Sequence, residues 1–321
     1  MLELVNLAND RETEKILQAT PHLLEEILTT HKLDGLEMIF CEPWNRSLFP
    51  KERIQGAHLI FWNDWLDFWR EKTPQLLTRF ENIQAIKNYY GATKPAEWVD
   101  IFKKNISLSC STGANYLVFH VSQARSEETF HRNFYYSDGD VIDATIELVN
   151  QFVSEIPPDT FLLFENLWWP GLTLQDVTLA EKLLTHINHS KTGFMVDTGH
   201  LMNCNPHLRT EDEGIDFVLE TLDQLGSLKE KIYGLHLHQS LSGAYLKTST
   251  NQVKNPSFAE IFSHVSQIDQ HRPFSSPRVT EIIEKIKPQF LVHEFITPSL
   301  FDPNWVKSFE LQIKALNKQR D

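Results

Sequence analysis

One alternation sets the limits on how this 321-residue chain can fold. Eight apolar runs of strand length recur along it: LELVNL (2–7), DGLEMIF (34–40), GAHLIFW (56–62), ANYLVFHV (114–121), TFLLFENL (160–167), TGFMVD (192–197), IYGLHLH (232–238) and QFLVHEF (289–295). Segments of helical period lie between most of them, at 12–31, 140–156, 173–187 and 276–287, and another at 305–318 closes the chain. Strand alternating with helix eight times predicts an α/β fold, a closed parallel (β/α)8 TIM barrel, rather than an open doubly wound sheet. The expectation is one domain over 1–321 with its active site at the C-terminal face of the strands. Two connections are longer than a barrel requires. The first, 62–113, is rich in Trp and Phe and reads as two helices; the second, 239–276, is polar and poor in periodicity and reads as a lid or binding loop.

Composition narrows the function. With 41% hydrophobic residues the chain can bury one large core. Cys41, Cys110 and Cys204 are too few and too scattered for a disulfide framework or a cysteine zinc site. The N-terminal MLELVNLAND lacks the features of a leader, and no apolar run approaches the ~20 residues that span a bilayer, so a soluble cytoplasmic protein with no membrane partner is expected. A net charge of −13 offers no basic footprint and disfavours a nucleic-acid partner, which would require a local basic patch or bound metal ions. No GxGxxG follows a strand, so a dinucleotide site has no support.

The polar residues in the strands carry the chemistry. Strands buried on both faces should end in aliphatic residues, yet His58, His120, Glu165, Asp197, His236 and Glu294 stand at or near the C-terminal ends of six of them. A lone strand histidine is usually a satisfied core residue, and a lone buried Glu usually has a basic partner. Here the strand ends supply no inward Lys or Arg, and several imidazoles converging with carboxylates is what a divalent cation requires. His200 follows Asp197 across Thr198-Gly199, and Asp269 and His271 form an Asp-x-His pair in IDQHRPF that an extended segment would point the same way. The plain alternative for that pair is a surface turn. By alternation His293 points outward, whereas His238 shares the face of His236, either to meet substrate or to support a ligand.

These pieces together resemble the xylose-isomerase-like TIM-barrel superfamily, which includes sugar isomerases and epimerases and the endonuclease IV (AP endonuclease family 2) branch. The resemblance rests on ENLWWPG, VDTGH, HLH and HEF, in the family's order across the chain. It implies a metal held by Glu165, Asp197, His236 and Glu294. Likeness to the endonuclease IV branch would add His58, His120, His200, Asp269 and His271 as ligands of a zinc cluster. Two departures stand out: the segment after the Asp-x-His pair reads RPFSSPRV instead of glycine-rich, and QSLSG follows strand seven where sugar epimerases usually place an arginine.

The leading expectation is a divalent-metal enzyme, with one to three ions of Zn, Mn, Mg or Co, that isomerises or epimerises a sugar or sugar phosphate. Glu165 and Glu294 would move the proton beside a polarised carbonyl, with His200 also at the reacting centre. The alternative is a zinc phosphodiesterase acting on abasic DNA or another phosphoester, and a third reading is a barrel that binds sugar or metal without turnover. Trp168, Trp169, Phe61 and His238 are the candidate substrate contacts; simple packing is the competing account of the two tryptophans.

Overall fold

A computed structural model describes residues 1–249, 253, 256–297 and 299–317. The eight strands are β1 (Leu2–Ala8), β2 (Gly35–Ile39), β3 (Ile54–His58), β4 (Tyr116–His120), β5 (Phe161–Glu165), β6 (Thr192–Asp197), β7 (Ile232–Leu237) and β8 (Phe290–His293). They close in sequence order, and every neighbouring pair is parallel, including β1 with β8. The chain is therefore a (β/α)8 barrel.

Period-two alternation sorts each strand into two faces. Leu4, Tyr116, Val118, Leu163, Met195, Phe290 and Val292 form the apolar plug inside the barrel. The opposite faces meet the helices in a much larger core that includes Leu36, Ala57, Leu117, Phe164, Val196, Leu235 and Leu291. One step above the plug toward the C-terminal ends, the inward positions turn polar. His58 is the last residue of β3, which begins earlier than GAHLIFW suggests, so it stands level with the others rather than below them.

The helical segments differ from expectation in instructive places. The segment 12–31 is two helices, Arg11–Ala19 and Leu23–Thr30, because Pro21 has no N–H to donate and its ring clashes with the preceding turn. Asp138–Val149 carries a Ser137/Asp140 capping box and gives way to the 3-10 turn Val153–Glu155. Val177–His186, Val279–Ile286 and Pro303–Ala315 occupy the other three expected segments; residue 318, the end of the last of these, lies outside the described residues. The connection 62–113 holds four helices rather than two: Leu66–Trp69, Thr73–Leu76, Ile83–Tyr90 and Pro95–Ser111. The connection 239–276, read as an irregular loop, carries Gly243–Thr248 and Phe258–Ile268, the latter opened by a Ser257/Glu260 capping box; residues 250–252 and 254–255 of that connection lie outside the described residues. Among the described residues, no helix is long and apolar enough to cross a membrane.

Candidate metal centre

Register places the strand-end groups side by side. His120 is directly paired with Glu165, and Asp197 with His236. On the floor of the mouth, His58 Nε2 and His120 Nε2 lie 3.1 Å apart, and they are 3.1 and 3.0 Å respectively from Glu165 Oε2. The other Glu165 oxygen, Oε1, is 3.4 Å from His236 Nδ1, which in turn is 3.1 Å from Glu294 Oε2 and 3.8 Å from Asp197 Oδ2. Glu165 therefore belongs to two clusters at once. A third forms where His200 Nε2 and His271 Nε2 approach Asp269 Oδ2, at 3.2 and 2.8 Å.

The stretch VDTGH builds one corner of this centre. Asp197 caps the helix Thr198–Asn203, its Oδ1 accepting the His200 N–H, while Oδ2 faces His238 Nε2 at 2.7 Å. Thr198-Gly199 is thus the first turn of a helix. Gly199 is required by crowding: a Cβ there would sit 2.1 Å from His238 Cε1. The His238 ring lies flat on His271, with centroids 3.8 Å apart, so His238 is buried inside the centre between Asp197 and His271.

The Asp-x-His pair is not extended. Asp269 ends the helix Phe258–Ile268, and His271 has a left-handed φ of 44°, a conformation that costs a non-glycine residue energy and persists only where the surroundings impose it. Those surroundings are visible. Gln239 and Arg272 exchange backbone hydrogen bonds of 2.8 and 2.9 Å, which pin the two ends of the long connection together, and Ser240 Oγ accepts from Gln270 N.

Other hydrogen bonds assign the imidazole nitrogens. His58 Nδ1 lies 2.9 Å from the Leu59 carbonyl and His200 Nδ1 lies 3.0 Å from that of Asn166, so each donates from Nδ1 and turns Nε2 to its cluster. His236 is reversed: Nε2 faces Glu37 at 3.0 Å and Nδ1 faces the cluster. Asn6 Nδ2 donates to Glu294 Oε1, and Asn166 exchanges two hydrogen bonds with the Asp197 backbone. Glu37, Asn6, Tyr116 and Asn166 escaped the sequence reading. Glu37 and Asn6 left a signal there, each being a polar residue at an inward position of an apolar run; Asn166 left none.

The electrostatics fit a cation. Every ion pair that Glu37, Glu165, Asp197, Asp269 and Glu294 make among the described residues is with histidine. Burial opposes ionisation of Glu165, but His120 and His236 outweigh it and hold the carboxyl well below its usual range. For His200 burial is likewise overcome, by Asp197 and Asp269, and its pKa is raised well above that of a free imidazole; for His120 burial prevails and the pKa falls. Two buried atoms that face each other, His236 Nδ1 and Glu294 Oε2, make no hydrogen bond. Ligands of a tetrahedral zinc ion, each ~2.0–2.1 Å from the metal, lie roughly 3.3 Å from one another, which is the spacing seen within the clusters. Imidazole and carboxylate donors with no fixed cation nearby therefore fit divalent metal.

Phe61 and the two tryptophans part company. Phe61 is about half exposed and sits on the rim, its ring 4.2 Å from that of His120. Trp168 and Trp169 are buried with Leu167, Ala124 and Ile268, beneath the helices of the 239–276 connection. Both are therefore packed beneath other side chains, and the Trp168 ring stands 5.2 Å from that of His200.

No protein-family model matches the sequence, and no curated protein does. Solved structures match in shape. Endonuclease IV from Thermus thermophilus superposes with a TM-score of 0.55 at 13% identity, covering 99% of this chain and 100% of that one. A D-psicose 3-epimerase gives 0.55 at 10% identity, covering 99% and 97%, and mannonate dehydratase from Streptococcus suis serotype 2 gives 0.51 at 10%, covering 100% and 96%. These are enzymes with different reactions, so the likeness speaks to architecture. The chain shares the closed (β/α)8 barrel fold of these enzymes, with buried His, Asp and Glu clusters at the barrel mouth that fit metal binding.

Proposed function

We propose that this protein is a metal-dependent phosphoester hydrolase with a zinc centre of three positions. The observation that carries the reading is the number of linked groups of donors: Glu165 joins His58 and His120 to Asp197 and His236, Asp197 and His238 meet Glu294, and His238 also stands with His200, Asp269 and His271. Sugar isomerisation, ranked first from the sequence, needs only the middle set and leaves the two flanking groups of buried imidazoles without a purpose. When bound, zinc supplies Lewis acidity toward phosphate oxygens and a nucleophilic hydroxide near neutral pH.

The chain's own residues supply position. Glu165 would serve as a ligand through both oxygens, Oε2 beside His58 and His120 and Oε1 beside His236. Asn6 aims Glu294, Asn166 aims Asp197, and the carbonyls of Leu59 and Asn166 present the Nε2 lone pairs of His58 and His200. Phe61 gives the rim an aromatic face on which a base or sugar can stack.

Two measurements test the reading. Elemental analysis of the purified protein is expected to find three zinc ions per chain, and an abasic-site duplex or an activated phosphodiester is expected to be cleaved in a chelator-sensitive manner. A single exchangeable ion together with ketose epimerisation would overturn it in favour of the isomerase.

A further inference from the structure

Glu37 on β2 belongs to none of the metal-ligand groups, yet it is a fully buried carboxylate at the heart of the barrel. Its Oε1 and Oε2 lie 3.0 and 3.2 Å from His236 Nε2. Nε2 is the nitrogen turned away from the cluster; Nδ1 is the one that faces Glu294 and Glu165. A neutral imidazole carries one N–H, so a carboxylate that accepts at Nε2 leaves the lone pair on Nδ1.

Glu37 is itself held. The Tyr116 hydroxyl on β4 donates to Glu37 Oε2 at 2.8 Å. To reach β2 from β4 the phenol must cross β3, and it does so over Gly56, where a Cβ would come 2.0 Å from Tyr116 Cζ. The Tyr116 ring also packs on Phe290, with centroids 4.3 Å apart. Residues of four strands and a gap left by a fifth thus bring one carboxylate against one imidazole.

The other histidines with an assigned nitrogen are treated differently. His58 gives its N–H to a neutral backbone carbonyl, and His200 Nδ1 lies between the Asn166 carbonyl at 3.0 Å and Oε1 of Glu165, itself a candidate ligand, at 3.1 Å, whereas His236 turns its N–H to a carboxylate that stands outside the ligand groups. A carboxylate partner makes the imidazole a stronger donor to metal than a carbonyl does. We propose that Glu37, braced by Tyr116, is the positioning residue that fixes His236 with Nε2–H and Nδ1 free, and so makes the middle position the most tightly held of the centre. This rests on the metal-centre reading.

The test is chelator competition on the zinc-loaded protein, comparing wild type with Glu37→Gln and Tyr116→Phe, together with the side-chain 1H–15N resonance of His236. Glu37→Gln is expected to weaken retention of one zinc ion about 10–100-fold while the others stay, and Tyr116→Phe to weaken the same ion several-fold. Equal retention of all ions in folded Glu37→Gln would overturn the proposal, and so would selective weakening of an ion bound without His236. The resonance separates this from failure of the site reading. A downfield Nε2–H signal that moves upfield in both variants is expected whether or not zinc is bound, and its absence from the wild type would overturn the positioning role.

Discussion

Two groups of carboxylates lie buried in this barrel: Asp64 and Asp67 in the connection after β3, and Glu165 with its neighbours at the strand ends. In the first, Arg79 meets Asp64 at 2.9 Å and Asp67 at 3.0 Å, and Arg125 meets Asp67 at 2.7 Å. Guanidinium groups are permanently charged and their forked N–H groups match carboxylate oxygens, so that network is complete from the protein's own atoms. In the second the ion-pair partners are imidazoles, which can release their protons and expose lone pairs. Permanent counter-charge makes a strut that ties loops together, and removable counter-charge makes a socket for a cation.

The largest divergence is expected from Glu165→Gln, which should lower phosphoester turnover by on the order of a thousandfold and reduce bound zinc, with little loss of stability. Turnover assays and elemental analysis check this; full activity would place the chemistry elsewhere. Asp67→Ala should do the reverse. Breaking a buried ion pair from one side costs about 3–5 kcal/mol, read by denaturant unfolding, with zinc content unchanged. If the zinc followed Asp67 instead, the contrast between the two networks would collapse.

A pH titration bears on the same contrast. Burial disfavours the charged form of His271, but Asp269 outweighs it and holds its pKa up at about 9. Zinc must displace that proton, so affinity at the third position should rise as pH climbs toward 9, by up to about tenfold per unit, and level off above. Without metal the sign is opposite. The folded pKa lies above the unfolded 6.5, so this residue's contribution to stability is complete below 6.5 and is lost as pH passes 9. Zinc titrations and melting curves at pH 7, 8 and 9 would show whether the two trends cross.

The smallest effect is expected from Asp64→Asn. Burial pushes this carboxyl up to about 6 despite Arg79. A raised folded pKa means that its contribution declines as pH rises from about 4 through 6, and the substitution should flatten only that part of the stability profile. An unchanged slope there would remove Asp64 from the set of titrating struts.

Much of the centre was legible because alternation is a local property. His236 falls on an inward position of β7 and Glu294 continues the inward face just past the end of β8, while His293, one residue away from Glu294, points outward to Glu3 and Gln312. The long connections were less legible. Each is divided among separate helices, and Phe258 and Phe262 stand exposed where an apolar stripe would be read as buried. Nothing local to Trp168 and Trp169 announces that helices of the second connection bury them.

Spacing along a few residues was enough to settle the strand and helix alternation, the two faces of each strand and the donor types offered to a metal. Which donors meet was settled only by the folded barrel. The clasp between Gln239 and Arg272 returns Asp269 and His271 to the mouth, and barrel closure sets Glu37 against His236 across 199 positions of chain. Such pairings depend on the register of strands around a closed ring, and no period readable along the chain encodes them.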